Sequence, residues 1–182
     1  MLTKLRLKIA NYLLLKELKK TARDLDLITL SRAKKIGILF DAKSSKDVLL
    51  VKSLVKEFLT HNIDVSALGF VERHDYQDFH LSTLHINYFN LNDLSWFFLP
   101  KSKTIDSFQS HKYDIFINLS LLNSFSTKYI ALLSNSKFTI GVFSSDYKLS
   151  YDLMFNLKVP SLSYFIKELT HYLDLINKNN EK

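Results

Sequence analysis

The sequence contains no cysteine and little glycine or proline. Without cysteine among the 182 residues, disulfides, thiolate zinc sites and cysteine nucleophiles are excluded. Three glycines and two prolines are too few for glycine-rich ligand loops or low-complexity linkers. The sequence also lacks a run of about 18 apolar residues, so we expect no membrane-spanning helix. These absences are typical of a cytoplasmic globular protein, and we predict a cytoplasmic location.

Apolar runs separated by amphipathic stretches indicate the fold class. Residues 36–42 predict a buried strand, because four large apolar side chains stand between polar, basic flanks. Further strands are predicted at 63–71, 84–89, 114–120, 138–143 and 151–155. Helices are predicted from Ser44 or Ser45 to His61 and at 104–109, 126–134 and 161–177. This alternation predicts an α/β fold with a doubly wound, mostly parallel sheet of five to six strands and helices on both faces.

Positive charge is concentrated before the first predicted strand. Residues 1–35 hold 10 Lys or Arg against 3 Asp or Glu, whereas residues 36–182 hold 15 of each. The net charge of +7 therefore lies entirely in the first segment. We interpret residues 1–35 as a basic N-terminal helical arm, 36–177 as a single Rossmann-like domain and 178–182 as a polar tail.

The first helix, predicted at residues 3–23, combines an apolar stripe with a basic one. The apolar stripe consists of Leu5, Ile9, Leu13 and Leu18. The basic stripe consists of Lys4, Lys8, Lys16 and Lys20. Two interpretations stay open, a solvated helix that docks its apolar side on the domain and a basic helix along a polyanion. A third is an interfacial membrane helix that uses Leu5, Ile9, Leu13 and Lys8.

The segments that carry a first resemblance are residues 36–42, 68–70, 93–100, 114–120, 129–141 and 151–154. Together they resemble an uncharacterised bacterial family that is known only as a domain of unknown function. The resemblance covers nearly the whole chain, including its basic start, and carries no catalytic motif. It implies a lineage-restricted protein of the large ribosomal subunit.

A second, partial resemblance lies in residues 114–141, where an Asp-led strand and a helix precede a short Lys-Phe-Thr-Ile-Gly strand. This segment is similar to part of the N-terminal half of heptosyltransferase-type glycosyltransferases. Those enzymes place the active site between two such domains, and this chain has room for one. It also has Lys43, Ser44 and Ser45 where that family has a glycine-rich acceptor loop. The resemblance supports the fold, and it implies nucleotide-sugar binding only as an alternative.

Polar residues follow two predicted strands at the end of the sheet where α/β proteins bind ligands. This candidate ligand edge consists of Asp41, Ser44, Ser45, Asn118 and Ser120. Asp41 and the serines would suit a sugar or a phosphate at a helix N-terminus. In the interpretation that we favour, a serine only caps the helix, and Asp41 and Asn118 satisfy loop backbone groups.

Three histidines and a short aromatic run could have either a functional or a structural role. The spacing of His74, His80 and His85 fits no common metal motif, so we predict neither a metal site nor a cofactor. The aromatic run at residues 96–98 either stacks on bases or covers one end of the sheet, and we favour the cover.

The sequence as a whole predicts a non-catalytic protein that its basic arm holds on RNA. The predicted partners are ribosomal RNA of the large subunit and neighbouring ribosomal proteins. Lysine and arginine supply countercharge to phosphates, and duplex RNA is recognised mainly by shape and backbone. The predicted RNA-binding residues are Lys4, Arg6, Lys8, Lys16, Lys19, Lys20, Arg23, Arg32, Lys34 and Lys35. The alternatives are a single-domain glycosyltransferase-like or nucleotide-sugar-binding protein, and a peripheral membrane protein with an interfacial N-terminal helix.

Overall fold

A parallel sheet with helices on both faces forms the centre of the molecule. The computed structural model describes residues 2–20, 26–122, 124–143 and 151–180, without the side chains of 178–180. The strands in these ranges are β1 (Lys35–Asp41), β2 (Asp64–Val71), β3 (Ile86–Asn90), β4 (Tyr113–Asn118), β5 (Ser136–Val142) and β6 (Leu153–Phe155). The helices are α1 (Leu2–Leu18), α2 (Ser45–Thr60), α3 (Lys103–Ser110), α4 (Phe125–Leu132) and α5 (Leu162–Asn180). A single 3-10 turn, Leu91–Asp93, is described between β3 and α3.

The six described strands are all parallel and lie in the order β3-β2-β1-β4-β5-β6. The predicted doubly wound α/β fold is therefore confirmed. The order reverses between β1 and β4, where Leu39 lies opposite Asn118. Such a reversal creates a crevice at the carboxyl ends of the two strands. The rest of the chain places side chains in or around that crevice.

Alternation along the strands divides the core into two layers. In β1, Ile38 and Phe40 face the layer that α2 and α5 cover. Leu39 faces the opposite layer, which contains residues of α1, α3 and α4. Because successive side chains of a strand point to opposite faces, strands buried on both sides are apolar throughout. This explains why the apolar run at residues 36–42 predicts a buried strand.

The amphipathic helices follow their predicted stripes. In α2, the buried residues are Val48, Val51, Leu54, Val55 and Phe58, as expected. Ser44 is the N-cap of α2, and its Oγ accepts a hydrogen bond of 3.2 Å from the backbone N–H of Asp47. In α5, the residues at the same spacing are buried against the sheet, and the helix continues through Asn180 into the segment predicted as a polar tail. Residues 181 and 182 lie outside the described residues.

All three glycines lie beneath tyrosine rings, and that of Gly69 is Tyr88. A Cβ at Gly37 would stand 2.9 Å from the ring of Tyr113, and one at Gly141 would stand 2.7 Å from the ring of Tyr151. A larger residue would push either ring away from the sheet. At Gly141 this matters for the site, because Tyr151 reaches across to the carboxyl end of β4.

The predicted apolar stripe of α1 is wrong at Leu5, whereas Ile9, Leu13 and Leu18 are half-buried and Leu18 packs against the core. Leu5 is 55% exposed, whereas Ala10 and Leu14 are the fully buried residues of the helix. Leu14 packs in the layer that also contains Leu39 and Phe116. The helix also ends at Leu18 rather than at residue 23.

The first 35 residues contribute to both layers of the core. Leu14 lies on one side of the sheet, and Ile28, Leu30 and Ala33 lie on the other. Asn177 of α5 accepts a hydrogen bond of 2.9 Å from the backbone of Ser31, which fixes this segment to the last helix. The described parts of the basic segment, residues 2–20 and 26–35, are thus docked onto the sheet.

Candidate functional site

The carboxyl end of the sheet is held together by the carboxylate of Asp41. Its Oδ2 accepts hydrogen bonds of 2.8 Å from the backbone N–H groups of Leu121 and Leu122. Its Oδ1 accepts one of 2.6 Å from the hydroxyl of Ser120. Asp41 is only 7% exposed, so these bonds form in a nearly dry environment. The carboxylate therefore anchors the loop between β4 and α4.

Burial and hydrogen bonding act against each other at Asp41. Desolvation raises the pKa of this carboxyl group, and the bonds from Ser120, Leu122 and Leu121, with the nearby charge of Lys43, lower it. The net direction is upward. The loop thus supplies three donors to this carboxylate, two to Oδ2 and one to Oδ1.

Asn118 and Ser120 are also bonded internally. The amide nitrogen of Asn118 donates a hydrogen bond of 2.6 Å to the hydroxyl of Tyr151, and its oxygen accepts one of 3.0 Å from the backbone of Ser120. Burial raises the pKa of Tyr151 to about 12, against the opposing effect of the Asn118 bond. The phenol is therefore a neutral hydrogen-bonding group at physiological pH.

Ser44 and Ser45 have separate positions. Besides capping α2, Ser44 donates a hydrogen bond of 2.7 Å to the carboxylate of Asp47. Ser45 is the first residue of α2 and is exposed. The structure brings Asp41 and Ser120 into contact, whereas Ser44 is bonded within its own helix turn.

A cavity of 300 Å³ remains at this end of the sheet, beside Asn118, Ser120 and Tyr151. The other described residues of its wall are Leu121, Leu122, Val142, Phe143, Asn156, Leu157 and Pro160. None of these described wall residues carries a charge. A nucleotide sugar would find no countercharge for its phosphates there.

The outer side of α1 is basic and exposed. Its exposed cations are Lys4, Lys8, Lys16, Lys19 and Lys20. Lys20 forms an ion pair of 2.8 Å with Glu17, and the other four form no ion pair within the described residues. Of the other predicted RNA-binding residues, Arg32 and Lys34 are exposed, Lys35 is half-buried, and Arg23 lies outside the described residues.

Arg6, the remaining predicted RNA-binding residue, contacts the loop after β3. Its Nε donates a hydrogen bond of 2.6 Å to the backbone oxygen of Trp96. Its guanidinium lies over the rings of Trp96 and Phe98, 4.7 and 4.2 Å from their centroids. Arg6 thus joins α1 to the loop after β3, and Trp96 stays 53% exposed. No local pattern predicts this contact, because its two residues are 90 positions apart.

The amino end of the sheet, where the strands begin, is basic. Asp114 accepts hydrogen bonds of 2.8 and 3.1 Å from the backbone N–H groups of Lys34 and Lys35, and one of 2.9 Å from Nζ of Lys137. Partial burial raises the pKa of Asp114, but the hydrogen bonds and the charge of Lys137 outweigh it, so the net direction is downward. Lys34 and Lys112 stand exposed at the same end.

The three histidines at residues 74–85 bond four separate backbone or side-chain groups. His80 is buried, and its ring bonds Ala42 O and the backbone N–H of Gln77, both at 2.9 Å. His74 bonds Asn92, and His85 bonds the carbonyl of Val65. Within the described chain, no three acidic or histidine side chains lie close enough to hold a metal ion.

No helix of the described chain has the length and apolar character that crossing a membrane requires. Comparison with known proteins identifies one family, DUF6913, a family of unknown function whose match covers residues 6–176. Neither the curated proteins nor the solved structures contain a match to this chain. Since the match extends from the first turns of α1 to the end of α5, the chain belongs to the DUF6913 family.

Proposed function

We propose that the protein is a non-catalytic, ribosome-associated protein of the large subunit that binds ribosomal RNA through the basic side chains of residues 1–35. The observation that carries this proposal is the fixed basic side of α1. Lys4, Lys8, Lys16 and Lys19 are exposed and unpaired among the described residues, on a helix that Leu14 anchors in the core. Preorganised cations bind a phosphate backbone without the cost of ordering a free arm.

The distribution of charge adds to this support. Residues 36–182 are neutral overall, so the cations of the first segment face no general excess of acid elsewhere. Asp41 is the residue best placed for chemistry where the strand order reverses between β1 and β4. Both of its carboxylate oxygens accept hydrogen bonds from the loop between β4 and α4. These contacts favour a binding role over a catalytic one.

Salt-dependent binding to large-subunit ribosomal RNA tests the proposal. If roughly six phosphates are neutralised, affinity should fall about a thousandfold between 50 and 200 mM salt. Replacing Lys4, Lys8 and Lys16 by Gln should lower the slope of log affinity against log salt by about 2 to 3. Fluorescence anisotropy with labelled RNA measures both quantities.

The chain offers a matched control on the opposite side of the sheet. Lys46 and Lys56 on α2 and Lys167 on α5 are also exposed, and their replacement by Gln changes the net charge by the same amount. We expect this triple variant to bind RNA like the wild type. Equal losses in the two triple variants would mean that only net charge matters, and the assignment to α1 would then be wrong.

A membrane surface is the second candidate, and one observation favours it. Leu2, Leu5, Tyr12 and Leu15 are all more than half exposed on α1, among the lysines. Apolar side chains beside cations are typical of helices that lie on anionic lipid. Strong binding of the wild type to anionic vesicles, lost when Leu2, Leu5 and Leu15 become Gln, would establish this role if RNA affinity at low salt were absent.

A further inference from the structure

A groove of 560 Å³ lies at the amino end of the sheet, between α3 and the first residues of β2 and β3. Polar side chains line it from both sides, namely Ser66, His85, Asn87, Lys103, Thr104 and Ser107. Natural ligand sites occupy roughly 300–1,000 Å³, so the groove is large enough for a small molecule or a nucleotide. Below we name it the β3–α3 groove.

Several hydrogen-bonding groups of the groove have no protein partner. Asn87 is exposed on β3, and its amide forms no hydrogen bond with the described residues. Nδ1 of His85 donates to the carbonyl of Val65 at 3.1 Å, which leaves Nε2 as an acceptor. Nδ1 of His111, also in the wall, is buried and unbonded in the described chain. The wall therefore offers both donors and acceptors, as recognition of a polar planar group requires.

The charges of the groove favour an anion at one side of it. Lys103 is exposed and forms no ion pair with the described residues. Lys35, in the opposite wall, pairs with Asp64 at 3.2 Å. Lys35 follows Lys34 at the start of β1, so the groove opens beside the basic residues to which the proposed function assigns RNA binding. One free cation next to amide and imidazole groups matches a nucleotide, which combines one phosphate with a polar base.

We propose that the β3–α3 groove binds a single unstacked nucleotide of the RNA, with its phosphate at Lys103 and the edge of its base at Asn87 and His85. This inference rests on the proposed RNA-binding function. Proteins read RNA sequence mainly at bulges and single strands, where unstacked bases expose their hydrogen-bonding edges. An asparagine amide suits adenine, because it donates to one ring position and accepts from the amino group.

Two short RNA duplexes that differ by one bulged adenosine, together with free adenosine monophosphate, test the inference by fluorescence anisotropy and calorimetry. For the wild type we expect about tenfold tighter binding to the bulged duplex than to the paired one. Replacing Asn87 and Lys103 by Ala should remove this preference and leave affinity for the paired duplex within about twofold. Lys101→Ala, an exposed lysine outside the groove, is the matched control and should keep the preference.

The outcomes separate this inference from the function on which it rests. Equal binding of both duplexes by the wild type would overturn the groove proposal and leave the basic surface intact. Absence of binding to either duplex at low salt would overturn both. Binding of free adenosine monophosphate that depends on Asn87, without any preference for the bulge, would assign the groove to a free nucleotide and overturn its role in RNA. Asn87→Asp should also abolish the preference, because an ionised carboxylate only accepts hydrogen bonds and cannot donate to the ring nitrogen of adenine.

Discussion

The two ends of the sheet each contain an aspartate that accepts three hydrogen bonds, yet they differ in every other respect. Asp41 at the carboxyl end is buried and bonded to its loop, and burial raises its pKa. Asp114 at the amino end lies beside Lys34, Lys35 and Lys137. The hydrogen bonds that it accepts, with the charge of Lys137, lower its pKa against the effect of partial burial. An aspartate thus anchors a loop at the carboxyl end of the sheet, and another one bonds three lysines at the amino end.

This difference indicates where function lies in the molecule. Open α/β sheets bind ligands at the carboxyl ends of their strands. Here Asp41, Asn118 and Ser120 are bonded to one another's loops and to Tyr151, and the cavity beside Asn118 has an uncharged described wall. The exposed cations stand on α1 and at the amino end, where Lys34 and Arg32 precede β1. The comparison therefore favours a protein that uses a familiar scaffold to present a charged surface.

The largest expected effect is on stability at the carboxyl end. Asp41→Ala leaves the part-buried backbone N–H groups of Leu121 and Leu122 without their acceptor and removes the shorter of the two bonds that the Ser120 hydroxyl donates, so we expect a loss of about 2 to 3 kcal/mol. Urea unfolding measures this free energy. RNA affinity of the folded variant should not change, because Asp41 is buried and bonds none of the basic residues of α1.

Asp41→Asn is the control for this prediction. One amide oxygen in the position of Oδ2 still accepts from Leu121 and Leu122, so the loss should be only about 1 kcal/mol. Equal losses for Ala and Asn would mean that the hydrogen bonds to the backbone contribute little. The anchoring role of Asp41 would then be wrong.

A smaller effect is expected at the amino end. Asp114→Ala removes the acceptor for Lys34, Lys35 and Lys137, but water replaces it at this partly exposed position, so the loss should be about 1 kcal/mol. The variant also gains net positive charge, so its RNA affinity should stay the same or rise. A loss as large as that of Asp41→Ala would remove the contrast between the two ends.

The smallest effect is the pH dependence of these losses. For Asp41, whose pKa is raised on folding, the favourable contribution is present below the unfolded value near 3.9 and declines as pH rises through the folded pKa. For Asp114, whose pKa is lowered, the contribution is present above that value and is lost as pH falls through the folded pKa. The cost of Asp→Asn at the two positions should therefore change in opposite directions between about pH 3 and 6. Parallel slopes in urea unfolding would contradict the assigned shifts.

The sequence was sufficient to predict the sheet and the buried face of α2, but not which face of α1 is buried. In α2 the apolar residues occupy one side, so only one face can be buried. In α1 leucines occur all round the helix, and periodicity alone cannot choose between Leu5 and Leu14. The choice depends on distant contacts, such as that of Arg6 with Trp96, which no local pattern encodes.

The candidate site was predictable only in part. Asp41 and Ser120 could be assigned to one end of the sheet, because parallel strands end together. The hydrogen-bond partners of Asp41 could not be predicted, because the bonds from Leu121 and Leu122 depend on the loop conformation. The β3–α3 groove collects residues from four separate parts of the chain without a motif, so it had no sequence signal.

The most direct test of the central claim is the sedimentation of the native protein in a lysate of the cells that produce it. On a sucrose gradient at low magnesium, where ribosomal subunits separate, the wild type should move with the large subunit and leave it at high salt. The variant with Gln at Lys4, Lys8 and Lys16 should leave at lower salt, while the variant with Gln at Lys46, Lys56 and Lys167 should behave like the wild type. Recovery of the wild type at the top of the gradient or in the membrane pellet, with none in the large-subunit fractions, would contradict the account.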